Sequence, residues 1–287
     1  MSQSGFSSDT VSPKSGKSGR NLPVAITVAV ILLTVVAASL FIVKELFVVL
    51  AIVALCLGLW ELGQAFATRG IKIPLLPLFV GTAGILVSTY LSGAEALMVS
   101  FVLTVGCVVL WRVIDGGGID AVKDSAAGLF ACAYLPLMAG FVILMLAEDN
   151  GPAQVAVFIL LAVANDTGGF FAGVKFGKHK LSPSISPKKS WEGLAGSVIA
   201  TMIVGVIGAT VILDMNPTVG ILAGLLAPIT ATIGDLAESL IKRDLQLKDM
   251  GSLLPGHGGV LDRLDSLLLT APFIYLLFSS AQSLPVA

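Results

Sequence analysis

Asp235, Glu238, Ser239 and Lys242 recur at steps of three and four, which puts two carboxylates, a hydroxyl and an ammonium group on one helix face. Asp262 and Asp265 share a face in the same way where the next apolar run opens. Two such helices lying side by side can bring Asp235 and either Asp262 or Asp265 around a divalent cation. Carboxylate oxygens are the ligands Mg²⁺ prefers, with substrate phosphate and water completing its shell. The alternative is a structural network in which these acids pair with Lys242, Arg243 and Arg263, because carboxylates beside apolar runs are costly unless paired.

Between the two acidic faces lie Lys248-Asp249-Met250-Gly251 and Gly256-His257-Gly258-Gly259. Three of the last four residues have no Cβ, so their backbone N–H groups can approach a ligand closely. His257 and His179 are two histidines without loop cysteines, a poor zinc set, and His257 is better suited to donating a proton or a hydrogen bond to phosphate. A second constellation runs from Asn165-Asp166-Thr167 through Lys175, Lys178, His179 and Lys180 to Ser186-Pro187-Lys188-Lys189-Ser190-Trp191-Glu192-Gly193. A proline-rigidified turn that presents two ammonium groups at a helix start is suited to holding a polyphosphate. Asp166 lies about 15 Å inside its helix end, where a carboxylate is either ion-paired or functional.

The elements that must position these groups are membrane helices. Of the 287 residues 56% are hydrophobic and 12% charged, about half the charged fraction of a soluble chain. Apolar runs of spanning length are expected at 24–43, 46–66, 75–92, 95–111, 125–146, 153–176, 193–213, 217–241 and 260–281. The fold class is therefore an all-α polytopic membrane protein of about nine transmembrane helices. Residues 1–22, rich in Ser and Gly and carrying Lys14, Lys17 and Arg20, form a disordered cationic tail. N-terminal helices occupy 23–152, and a catalytic region with two loops occupies 153–287. No cleavable signal peptide is expected, because about twenty polar residues precede a first run long enough to stay in the bilayer. Cys56, Cys107 and Cys132 sit inside apolar runs and are packing residues.

Threading the chain with its tail in the cytoplasm leaves only Lys44 of the 17 basic residues on the opposite side. Both polar loops then face the cytoplasm, at the depth of lipid headgroups. Net charge is −1, which gives no reason to expect a nucleic-acid partner.

The order Ser239-x-x-Lys242-Arg243, Lys248-Asp249-x-Gly251, Pro255-x-His257-Gly258-Gly259-x-x-Asp262-Arg263-x-Asp265 resembles the signature of bacterial phosphatidate cytidylyltransferases, with no departure across it. The stretch from Asn165 to Gly193 is similar to that family too, with Phe170 where a tyrosine is expected and Ser190 where threonine is common. The resemblance implies transfer of a cytidylyl group from CTP to phosphatidic acid, giving CDP-diacylglycerol and pyrophosphate. It implies Mg²⁺ on Asp235 and Asp262 and a second, monovalent cation such as K⁺. It also implies catalytic roles for Asp166, Lys188, Lys189, Lys242, Arg243, Lys248, Asp249, His257, Arg263 and Asp265, with Ser186, Ser239, Gly258 and Gly259 joining the two lysines in holding the nucleotide. The partners are CTP, phosphatidic acid and membrane lipid, a homodimer is compatible with this reading, and the location is the cell membrane. Two other readings stay open: a CTP-dependent polyprenol or phytol kinase, which attacks the γ-phosphorus, and a cation-coupled transporter relaying through Asp166 and Asp235.

Overall fold

Inside a bilayer the backbone has no water to bond, so an apolar run must close its own hydrogen bonds as a helix. The computed structural model describes residues 22–116, 118–253 and 258–283, and these follow that rule. The helices are α1 Leu22–Phe41, α2 Lys44–Ala67, α3 Leu75–Asp115, α4 Ile119–Cys132, α5 Met138–Ala147, α6 Gly151–Phe176, α7 Trp191–Ile207, α8 Pro217–Asp244 and α9 Leu261–Ser283. A π-helical turn, Ala133–Leu137, carries α4 into α5 and contains Pro136. Proline lacks the N–H that would close an ordinary turn and crowds the carbonyl four residues back, which the wider turn relieves. All of the expected tail except Leu22, and also His257, lie outside the described residues.

Seven helices among the described residues, taking α4 to α5 as one, are long and apolar enough to cross a membrane. The sequence reading expects about nine. The difference has two sources: α1 contributes only the shorter apolar stretch Val30–Phe41, and α3 counts once. Yet α3, at 41 residues, would be about 60 Å long if straight, twice the hydrocarbon thickness. It breaks at Gly93, whose φ of 74° and ψ of −155° no helix contains. A Cβ on Gly81 would land on the Thr104 side chain, although a straight helix would hold these residues about 35 Å apart. The element is thus a helical hairpin folded at Gly93, where the sequence reading divides two spans.

Packing differs along the chain. Most of the largest fully buried side chains, including Leu59, Leu62, Leu78, Ile85, Leu86, Leu97, Leu135 and Ile143, come from the stretch α2 to α5, with Leu161 of α6 and Phe278 of α9 as exceptions. Helices α6 to α9 instead meet through glycines. A Cβ on Gly168 would lie 2.6 Å from the Gly196 carbonyl oxygen, and one on Gly234 2.6 Å from the Asp265 carbonyl. Thr201 Oγ1 donates to the Gly224 carbonyl at 2.6 Å, and Thr230 to Thr270 Oγ1 at 3.0 Å. Small residues that bring backbones together and hydroxyls that bond across helices are the means of association when lipid is as apolar as the side chains.

At one end of the bundle the loops are tied together. Arg69 donates to the Asp244 carbonyl at the end of α8 (2.9 Å), and buried Asp124 accepts from Lys72 N–H (2.7 Å) and Arg112 (2.6 Å). Between α6 and α7 the same end carries a short antiparallel hairpin of β1 Lys180–Ser182 and β2 Ser186–Ser190. The segment expected as a lysine-bearing turn is therefore a strand.

Candidate active site

Helices α8 and α9 bring the two acidic faces together. Lys242, at the end of α8, donates to Glu238 Oε2 (2.5 Å) and Asp262 Oδ1 (2.8 Å), so one ammonium group joins the helices. Glu238 is fully buried and depends on that charge. One turn below, Ser239 Oγ donates to Asp235 Oδ1 at 3.2 Å. Asp265 is buried, and its Oδ1 accepts the N–H of Ser266 at 2.6 Å.

Asp262 is aimed by backbone. Its carboxylate accepts the Met250 N–H (3.1 and 3.3 Å to the two oxygens) and the Gly259 N–H (2.8 Å), in addition to Lys242. Gly258 has φ of 87°, and a Cβ there would come within 3.2 Å of Asp262 Oδ2. The glycine-rich turn thus brings the Gly259 N–H close to an acceptor, as its composition suggests, and the acceptor is a carboxylate of the chain itself. Glu61 of α2 lies behind this loop, 1% exposed, and accepts the Leu261 N–H at 2.9 Å.

Strand β2 delivers the lysines. Alternation along a strand sends neighbours to opposite sides, so Lys188 and Lys189 diverge where a turn would hold them together. Lys189 reaches Asp235 Oδ2 at 2.6 Å. Ser190 then caps α7 by accepting the Gly193 N–H (3.1 Å). His179 Nδ1 and Glu192 Oε1 close the hairpin base at 2.6 Å, and Arg243 Nε donates to the Ile185 carbonyl near the hairpin tip at 3.3 Å.

Two cavities result. The first, about 480 Å³, is lined by five carboxylates (Asp166, Asp235, Asp249, Asp262, Asp265) and four cationic side chains (Lys188, Lys189, Lys242, Arg263). Asp166 opens into it; it accepts from Asn165 Nδ2 at 3.1 Å and has no ion-pair partner among the described residues. Phe170 of α6 lines the same cavity and is 65% exposed. The second cavity, about 560 Å³, is lined by Lys188, Lys242, Arg243 and Lys248, with Ser186 and Ser239 and no acid. Lys188 and Lys242 belong to both.

The residues expected from the sequence are thereby gathered at one place, with Gly258 and Gly259 behind Asp262 and His257 outside the described residues. No group of three or more His, Cys, Asp or Glu side chains is arranged to hold a metal among the described residues. Of the ion pairs in the structural-network alternative, those of Lys242 with Glu238 and Asp262 are present, while Asp235 pairs with Lys189 instead of Lys242, Arg243 or Arg263. Glu61 escaped the sequence reading. The signal that exposes Asp166, an acid inside an apolar span, applies equally to it.

Comparison with known proteins extends this over nearly the whole chain. Residues 23–281 match the model of the cytidylyltransferase family. The phosphatidate cytidylyltransferase of Mycobacterium bovis is 36% identical over 270 residues, covering 90% of this chain and 88% of that one. That of Haemophilus influenzae is 34% identical over 274 residues (85% and 94%), and that of Staphylococcus aureus 31% over 235 residues (80% and 89%). With the match spanning every element of the site, the chain belongs to the cytidylyltransferase family.

Proposed function

We infer that this chain is a phosphatidate cytidylyltransferase, a membrane nucleotidyltransferase that joins CTP and phosphatidic acid into CDP-diacylglycerol and pyrophosphate. The observation that carries the mechanism is the pair of adjoining cavities, one rich in acids and one purely cationic, with Lys188 and Lys242 on their boundary. A phosphate oxygen of the lipid attacks the α-phosphorus of CTP as the bond from that phosphorus to the bridging oxygen breaks. The β- and γ-phosphates leave together as pyrophosphate. In this reading the cationic cavity takes the polyphosphate, where Lys188, Lys242, Arg243 and Lys248 stabilise charge growing on the leaving group, while Ser186 and Ser239 offer hydroxyl hydrogen bonds. Lys189 and Arg263 face the lipid phosphate from the first cavity.

Five carboxylates against four cationic side chains make that first cavity a poor place for two anionic reactants unless more positive charge is supplied. Asp235 and Asp262 are hard oxygen donors that already hold cations, the ammonium groups at 2.6 and 2.8 Å, so the donor set fits Mg²⁺. Asp235 and Asp262 would hold such an ion, which when bound would supply charge neutralisation between the reactants. Asp166 and Asp265, two of the three other acids that face the same cavity, are the ones we assign to a monovalent cation such as K⁺. Gly258, Gly259 and Asp249 shape the wall beside Asp262.

We place the site on the cytoplasmic face of the cell membrane, where CTP is found, because Arg69, Lys72 and Arg112 are bonded into the same end of the bundle as Lys242 and Arg243. With α1 as a crossing and α3 counted as a hairpin, nine crossings follow, residues 153–287 carrying the catalytic region. Whether two copies associate is decided by the mass of the purified particle. Cysteines placed in the 178–190 loop should react with an impermeant reagent only from the cytoplasm, and one near Glu148 only from outside; the opposite pattern rejects this orientation. The function is tested by assaying protein purified in detergent with CTP, phosphatidic acid and Mg²⁺. Release of pyrophosphate with CDP-diacylglycerol is expected, whereas release of CDP would mark phosphoryl transfer and reject the assignment.

A further inference from the structure

We propose that Glu61, on α2 and remote in sequence from every motif of the site, is a positioning residue: its carboxylate fixes the backbone at Met250-Gly251 and from Gly259 to Leu261 and, through those residues, the aim of Asp262. The role rests on the reading of Asp262 as part of the reaction. Glu61 is 1% exposed and accepts the Leu261 N–H, at the first turn of α9, across 200 residues of chain. Two glycines of the loop press on it. A Cβ at Gly259 would lie 2.6 and 2.8 Å from its two oxygens, and one at Gly251 would fall on the same carboxylate.

The two backbone N–H groups that hold Asp262 belong to Met250, next to Gly251, and to Gly259 itself. Each backbone donor that aims Asp262 is therefore on, or beside, a glycine seated against Glu61. Among the described residues no cation pairs with Glu61; a backbone N–H and the positive end of α9 meet its charge. Glu61 lies six residues from the end of α2, about 9 Å into a membrane helix, where an acid is expensive to place. An apolar residue would pack α2 without that cost, but it would give the loop no acceptor.

The test uses the full chain in detergent, with Glu61→Gln, Glu61→Ala, Gly251→Ala and the double variant Glu61→Ala/Gly251→Ala. Amide hydrogen exchange across residues 248–262 is measured together with kcat and the KM for CTP, each per folded molecule. Glu61→Ala should speed exchange at Met250, Gly259 and Leu261. It should also lower kcat about 10- to 100-fold, the usual loss when a residue that orients a ligand is removed, and move the KM for CTP far less, because Glu61 does not line the cationic cavity. Gly251→Ala should reproduce these effects, and the double variant should be little worse than either single one. Glu61→Gln, which keeps an acceptor for Leu261, should fall between wild type and Glu61→Ala. If Glu61→Ala does not fold, Glu61→Gln and Gly251→Ala make the same comparison. Unchanged exchange and kcat per folded molecule, even with a lower Tm, would reduce Glu61 to a packing residue and overturn the proposal. Absence of cytidylyl transfer in the wild type would reject the functional reading instead, and loop exchange would still decide what Glu61 holds.

Discussion

The helices before Asn150 and those after it use glycine for different ends. In the first group a glycine makes room for a side chain: Gly81 for Thr104, Gly128 for Val108, Gly140 for Leu97. In the second it lets backbone meet backbone: Gly168 with Gly196, Gly205 with Gly220, Gly224 with Met202, Gly234 with Asp265. Interlocked side chains can shift rotamers and still fill space, whereas two abutting backbones have no such freedom. The stiffer mode surrounds the cavities, where Asp166 on α6, Lys189 beside α7, Asp235 on α8 and Asp262 on α9 must keep their relative places. Spatial constancy is a requirement of phosphoryl chemistry, which depends on alignment and charge more than on bond-making by the protein.

The contrast can be broken first at the carboxylates. Asp235→Asn and Asp262→Asn keep side-chain shape and remove charge, so pyrophosphate release per folded molecule should fall by about 100-fold or more in each. The double variant should be little worse, because residues acting as a unit lose function non-additively. Near-normal turnover in well-folded Asp262→Asn would leave these acids as ion-pair partners only. Next comes the interface. Gly168→Ala places a Cβ 2.6 Å from the Gly196 carbonyl oxygen, and thermal unfolding should show a loss of about 1 to 3 kcal/mol with slower turnover, as α6 moves off α7.

A smaller effect should separate the diverging lysines. Lys188→Ala, which alters the cationic cavity, should raise the KM for CTP several-fold, whereas Lys189→Ala, which strands Asp235, should lower kcat more than it raises that KM. Equal kinetics for the two would mean that the strand does not split their duties. The smallest effect lies in the first group. A Cβ on Gly84, within α3, meets nothing within 4 Å, so Gly84→Ala should leave activity unchanged and stabilise the helix by up to about 1 kcal/mol. A clear loss there would erase the distinction between the two groups.

Most of the site was legible in the sequence because its residues are polar where their neighbours are not. Asp166, Asp235, Asp262 and Asp265 stand out in apolar runs, and helical spacing tells which of them share a face. The break at Gly93 was legible from its small polar neighbours. Strand β2 was not: five residues with a proline carry no periodicity, and their pairing with Lys180–Ser182 is made by tertiary placement. Glu61 carries the same signal, an acid in an apolar span, but its partner was not legible, since a lone acid in α2 has no sequence neighbour that points to a loop 200 residues away. The π turn at Pro136 follows from proline chemistry, but the same residue also permits a kink, and only packing selects between them.

Phe170 of the membrane helix α6 lines the acid-rich cavity and is largely exposed. A cavity that opens beside a membrane helix makes the enzyme a meeting point of two phases of different dimension. In the proposed reaction CTP would arrive through a volume and pyrophosphate would return to it, while the lipid would reach the same cavity sideways, by diffusion in a plane, and the product lipid would depart in that plane. The effective concentration of phosphatidic acid is then its mole fraction in the membrane. Adding inert lipid at fixed bulk amounts should slow turnover, and diluting the vesicles in buffer at constant CTP should leave the rate of each enzyme molecule as it was.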